Sequence, residues 1–229
     1  VHSMKDVETI RPPELEIVAV LPREDKADQL VGASSLDDIP EEAIVGTSAP
    51  RRAAQLLHFR PDCRIVSFRG NVATRLSKLQ RGEADCTLLA SAGLNRLNEQ
   101  KIGSRLDPNI WLPAPAQGAI GIECRANDYK TKEIIGSINH LPSFEEVMGE
   151  RTLLRALGGN CHSPIAMITT YRHTELHLRC VLFSPDGAER IEAHADGTVE
   201  EHDWIKKMGE DLIASLPPSM SSYFGTNTI

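Results

Sequence analysis

Between residues 42 and 96 the chain alternates short apolar runs with amphipathic stretches. Ala43-Ile44-Val45-Gly46-Thr47 reads as a strand and residues 50–59 as a helix. Arg64-Ile65-Val66-Ser67-Phe68 is a second strand, and residues 71–80 a second helix with Val72, Leu76 and Leu79 on one face. Cys86-Thr87-Leu88-Leu89-Ala90 is a third strand, after which a helix opens over 92–97. Strands alternating with helices of this length predict a parallel sheet with crossover helices. Ligands of such sheets bind beyond the carboxyl ends of the strands.

Further along, Pro113-Ala114-Pro115-Ala116-Gln117-Gly118 reads as a linker or hinge, and Ala119-Ile120-Gly121-Ile122-Glu123-Cys124 as a buried strand with Cys124 a packed core thiol. Over 145–157, Val147, Leu153, Leu154 and Leu157 recur at helical spacing, and Gly158-Gly159 is a natural stop. Strands follow over 165–169, 176–184 and 190–195, with Leu176, Leu178, Cys180 and Leu182 on one face and a turn at Pro185-Asp186-Gly187. An amphipathic helix over 203–216 completes a small α+β domain, and residues 219–229 read as a loose tail. At the other end, Val1-His2-Ser3-Met4-Lys5-Asp6 reads as the end of a strand entering a loop, so the chain is expected to begin inside a domain.

Composition narrows the class. With 41% hydrophobic and 25% charged residues among 229, an ordinary globular protein with a sizeable core is expected. Five cysteines with no C-x-x-C pair suggest neither a disulfide framework nor a metal site. Without a long apolar run or a signal peptide, the cytoplasm is the expected address and no membrane partner is expected. The net charge is −7, yet Arg51, Arg52, Arg60, Arg64, Arg69, Arg75, Lys78, Arg81 and Arg96 crowd one stretch. An acidic protein with local arginines points to a small anionic ligand and away from nucleic acid. The planar guanidinium fork suits carboxylates in particular.

The predicted strands give these arginines a geometry. Arg51 and Arg52 fall in the first turn after the first strand, beside Thr47 and Ser48, with Pro50 at the first helical position. Arg69 lies just past the second strand, and Asn71 is a natural N-cap for the helix carrying Arg75. Both groups gather where free N–H groups already favour anions, so a ligand with several carboxylates or phosphates is expected. Gly70-Asn71 is too short for a phosphate loop. Cys161, in Gly158-Gly159-Asn160-Cys161-His162-Ser163-Pro164, is the one thiol that neither a core nor a metal site explains well. It reads either as a modifiable nucleophile facing a cleft or as a small buried apolar residue.

Several segments coincide with one family. The run from Val1 to Val7, Val45-Gly46-Thr47-Ser48 followed by Arg51-Arg52, Phe68-Arg69-Gly70-Asn71-Val72-Ala73-Thr74-Arg75 and Leu89-Ala90-Ser91-Ala92-Gly93-Leu94-Asn95-Arg96 are four of them. Pro115-Ala116-Gln117-Gly118-Ala119 and the 158–164 loop complete the set, which resembles the porphobilinogen deaminase (hydroxymethylbilane synthase) family in order and spacing over nearly the whole chain. The resemblance implies an α/β fold: periplasmic-binding-protein-like domains with mixed or parallel sheets, plus a smaller C-terminal α+β domain. It implies domain 1 over 1–22 and 117–138 (its N-terminal part absent), domain 2 over 23–116 and domain 3 over 139–229. The implied activity joins four porphobilinogen molecules head to tail, releasing ammonia, into hydroxymethylbilane in heme biosynthesis.

By the same resemblance, Cys161 bears a dipyrromethane cofactor through a thioether. Asp6 is the catalytic carboxylate that helps protonate the departing amine, stabilises the cationic azafulvene and assists deprotonation after each C–C bond. Arg51, Arg52, Arg69 and Arg75 match positions that hold pyrrole acetate and propionate groups. Thr47, Ser48, Ser3, Lys5 and Gly70 fall on the cofactor side, and Arg96 and Gln117 on the substrate side. A monomer is implied. Ala49-Pro50 stands where Ser-Leu is more usual, and Ala73 where glycine is common. A non-catalytic periplasmic-binding-protein-like domain for a polycarboxylate is the rival reading, distinguished by having no need of a covalent group on Cys161. A cysteine-dependent hydrolase is weaker, because no histidine is evidently oriented toward that thiol.

Overall fold

The computed structural model describes residues 1–225, arranged as three sheets, two of which pack on one long helix. The first sheet is antiparallel, in the order β1 (His2–Ser3), β8 (Ile120–Arg125), β2 (Leu15–Val20). Its inner face packs Met4, Ile17, Val20 and Ala119 against Val147 of α5 (Leu141–Ala156). Gly121 is required here, since a Cβ would lie 2.1 Å from Met4 Sδ. Cys124 is only half-buried on this sheet, so the expectation of a core thiol fails. With only three strands and α4 (Tyr129–Gly136) burying no residue of its own, the sheet leaves part of β8 open.

The second sheet runs β5 (Arg64–Val66), β4 (Ile44–Gly46), β6 (Cys86–Ala90), β3 (Asp28–Val31), β7 (Ser104–Arg105). β4 is parallel to β5 and β6, joined by α1 (Pro50–Phe59) and α2 (Val72–Gln80), as the alternating pattern predicts. β3 is antiparallel to both neighbours, which makes the sheet mixed. The hydrophobic pattern assigned no strand to β2 or β3. α1 begins with Pro50 at its N-terminus, where a missing N–H costs nothing, and Ala49 gives it no side-chain cap. Asn71 does cap α2, its Oδ1 accepting from Thr74 N at 2.9 Å. The short helix α3 (Ser91–Arg96) follows β6 directly.

The third sheet is an antiparallel meander of β9 (Ile165–Arg172), β10 (Glu175–Phe183) and β11 (Arg190–Thr198), covered by α5 and α6 (Asp203–Ala214). Leu153, Leu157, Leu178, Cys180, Leu182 and Leu212 form its core, with Cys180 fully buried as its spacing predicts. Met220 and Phe224 join that core, and Gly225 N donates to Leu157 O at 3.0 Å. The loose tail expected from 219 is therefore docked through 225, and the rest of that segment lies outside the described residues.

One carboxylate ties the third sheet to the segments that flank the first. Glu150 on α5 is fully buried and accepts both Nη groups of Arg23, at 3.0 and 2.9 Å, from the segment between β2 and β3. It also accepts from the backbone N–H groups of Ala116 and of Thr169 on β9.

Candidate active site

Three pieces of chain converge on a cleft of about 690 Å³. The first is the turn after β1, a single 3-10 turn over Met4–Asp6. Met4 is buried and its N–H donates to Ala119 O at 3.0 Å, which leaves Asp6 exposed at the cleft wall. Beside it, burial and the nearby Arg52 push the Lys5 ammonium down to about 8.

A second piece is the first turn of α1. Arg51 and Arg52 are buried, each 4% exposed, and both pair with Asp28 at 2.7 Å. Trp111 Nε1 and Gln117 Nε2 donate to the same carboxylate at 2.8 and 2.9 Å. Burial alone would raise the Asp28 carboxyl, but the two guanidinium charges and their hydrogen bonds hold it far below the usual carboxylate range. Arg51 Nε, although buried, has no partner among the described residues. From α2, Arg75 adds a half-buried guanidinium, lowered by burial and by the charge of Arg52; the Nε of Arg75 donates to Gly70 O at 2.9 Å.

The third piece is the end of α5. Gly158 N and Gly159 N bond back to Arg155 O and Leu154 O at 3.0 and 2.9 Å, with Gly158 at φ +63, so the helix stops where the glycine pair predicts. The loop beyond is pinned by Asn160 and Ser163, and Cys161 stands exposed in the cleft wall. The reading of Cys161 as a small buried residue is thereby overturned. Arg151 and Arg155 of α5 line the same cleft, and neither is paired with a carboxylate among the described residues.

The cleft thus brings together Lys5, Asp6, Ser48, Arg51, Arg52, Arg75, Gln117 and Cys161 from the sequence-derived candidates. Five others do not line it. Thr47 is buried and takes the Ala49 N–H on its hydroxyl, and Ser3 lies on β1. Arg69 and Gly70 are exposed outside the lining, and Arg96 donates to Gly118 O at 2.9 Å. Sequence reasoning missed Asp28, Arg151 and Arg155. For the last two, the signal is their spacing on the helix that ends at Gly158, which puts them on one face four residues apart.

A family model described as "Porphobilinogen deaminase, dipyromethane cofactor binding domain" matches residues 1–133, and one for the C-terminal domain of the same enzyme matches residues 144–215. The chain belongs to the porphobilinogen deaminase family. This is a family of transferases in tetrapyrrole biosynthesis. The porphobilinogen deaminase of Sphingopyxis alaskensis is 45% identical over 99% of this chain and 73% of its own length. That of Moorella thermoacetica is 46% identical over 88% of this chain and 65% of its own length. The chain therefore spans about two thirds to three quarters of these relatives. Among solved structures, a periplasmic sulfonate-binding protein from Methylobacillus flagellatus is 17% identical, covering 61% of this chain and 41% of its own, at a TM-score of 0.31.

The matched cofactor-binding model fits the residues present. A dipyrromethane carries several carboxylates, and the cleft offers Lys5, Arg75 and Arg155 without ion-pair partners among the described residues. No helix among the described residues is long and apolar enough to cross a membrane.

Proposed function

We propose that the chain condenses four porphobilinogen molecules head to tail, with loss of ammonia, into hydroxymethylbilane, on a dipyrromethane joined to Cys161 Sγ. The observation that carries this reading is the shared cleft: an exposed thiol, an exposed carboxylate and a surplus of guanidinium groups face the same 690 Å³. When bound, the dipyrromethane would supply the nucleophilic pyrrole carbon that takes the first unit, each later unit adding to the terminal pyrrole of the chain so begun.

Everything else falls to the chain's own side chains. Asp6 holds a negative charge next to the pyrrole nitrogen, where positive charge develops as the amine departs. It shuttles a proton, first toward the leaving nitrogen and later from the newly bonded carbon. Arg75 and Arg155 grip acetate and propionate arms, and Ser48 adds a hydroxyl from the α1 turn. Arg51 and Arg52, held by Asp28, set their positive charge at the wall of the cleft. Lys5 supplies a charge that strengthens as the anion approaches. Arg69 and Arg96 reach substrate only from the rim of the cleft, as exposed side chains. The same reading divides the chain into 1–22 with 117–138, 23–116 and 139–229, a division that the three separate sheets support.

Intact mass of protein purified from a heme-making cell tests the reading. The chain should exceed its sequence mass by one dipyrromethane, and Cys161→Ser should remove the excess together with all turnover. An unmodified, ligand-binding chain would instead favour a binding module.

A further inference from the structure

Residues 7–9, which follow Asp6 directly, are tied from two sides to the element that carries Cys161. Arg151 on α5 is 8% exposed, and its guanidinium donates to three consecutive carbonyls. These are Val7 O at 3.3 Å, Glu8 O at 2.7 Å and Thr9 O at 3.3 Å. Burial lowers this guanidinium, and the neighbouring Arg155 and Arg11 lower it further. A buried cation directed at backbone oxygens is costly unless its donors are well used. A planar fork with five donors can address adjacent carbonyls in fixed geometry, as an ammonium cannot.

The second tie is Thr9, 9% exposed, whose Oγ1 donates to Gly159 O at 2.8 Å. Gly159 is itself closely packed: a Cβ there would lie 2.5 Å from Ile165 Cδ1, and its N–H closes the end of α5. Upstream of Asp6, Met4 is fixed to Ala119 O. The carboxylate therefore sits on a turn held on one side by the first sheet and on the other by α5 and the cysteine loop.

We propose that Arg151 and Thr9 form a positioning clamp that keeps the Asp6 carboxylate in register with the Cys161 loop. The proposal rests on the function assigned above. Arg151 acts through Asp6, so its loss should reduce turnover more than saturation.

The test uses the full chain as purified, with Arg151→Gln and the milder Thr9→Val compared with Asp6→Asn. Both clamp variants should keep the added mass on Cys161 and speed amide hydrogen exchange across residues 5–11. For Arg151→Gln, kcat should fall roughly 100-fold with little change in KM, the scale of a misplaced catalytic group. Combining Arg151→Gln with Asp6→Asn should be no slower than Asp6→Asn alone, because the two act as one unit. Unchanged exchange over 5–11, unchanged kcat, or a loss that multiplies onto Asp6→Asn would each overturn the clamp. Should Arg151→Gln lose its fold, Thr9→Val decides the same comparison. If the unaltered chain has neither the added mass nor turnover of porphobilinogen, the assigned function fails, and exchange alone then decides the clamp.

Discussion

Two groups of arginines lie within one cleft, and they are held in opposite ways. Arg51 and Arg52 are buried against Asp28, with Trp111 and Gln117 completing the carboxylate's bonds. Arg75 and Arg155 face the cleft with no acid of their own. Sequence treats Arg51, Arg52 and Arg75 alike, as cations near strand ends and helix N-termini suited to an anion. The structure separates an acid-paired node that fixes the fold from a set without acids that awaits a ligand, and the difference predicts distinct responses to mutation, pH and salt.

The sharpest way to break the comparison is Asp28→Asn. Two buried guanidinium groups would lose their shared counter-charge, a change on the order of 3–5 kcal/mol. It should appear as a lower midpoint in urea unfolding, and an unshifted midpoint would show that the node is not structural. The pH dependence has a definite sign. Asp28 is depressed in the folded state, so the unfolded chain takes up its proton first. The stabilisation is complete above about pH 4 and is lost progressively as the pH falls toward the much lower folded value.

Arg75→Met should behave in the opposite manner. Folding stability should stay within about 0.5 kcal/mol, the usual range for a change away from structural features. The porphobilinogen concentration for half-maximal turnover should rise roughly 10- to 100-fold, the scale of a lost charged hydrogen bond. Equal damage to stability would erase the distinction between the two groups.

A smaller effect concerns Lys5. Its ammonium is pushed down to about 8, and an anionic ligand favours the charged form. Affinity should therefore be level below pH 8 and weaken above it, by about tenfold per pH unit at most. Lys5→Met should flatten that dependence in a ligand titration across pH 7–9. Smallest of all is the effect of salt. Shortening the Debye length from about 10 Å to about 3 Å, between 0.1 and 1 M, should weaken ligand binding severalfold. The Asp28 contribution, measured as the difference in midpoint between the parent and Asp28→Asn, should barely move.

Local rules were legible where the cause is local. Gly158-Gly159 ends α5, Asn71 caps α2, and Leu178, Cys180 and Leu182 face the same core because alternation places them there. Asp28 was not legible. In Glu24-Asp25-Lys26-Ala27-Asp28 it resembles any solvated acid, and its partners are 23 to 89 residues away. Cys124 misled for a related reason, since strand pattern does not tell how many strands will cover a face. Within the site, the loop left Cys161 open between an exposed nucleophile and a small buried residue, and its exposure came only with the structure, as did the placement of Arg69 outside the cleft lining.

Glu150 carries a consequence for how the molecule comes apart. A carboxylate clasped by Arg23 and by two backbone amides serves as a keystone, because parting the third sheet from the segments that flank the first would strand a bare charge in oil. Heating should then melt those two sheets in one calorimetric peak rather than two.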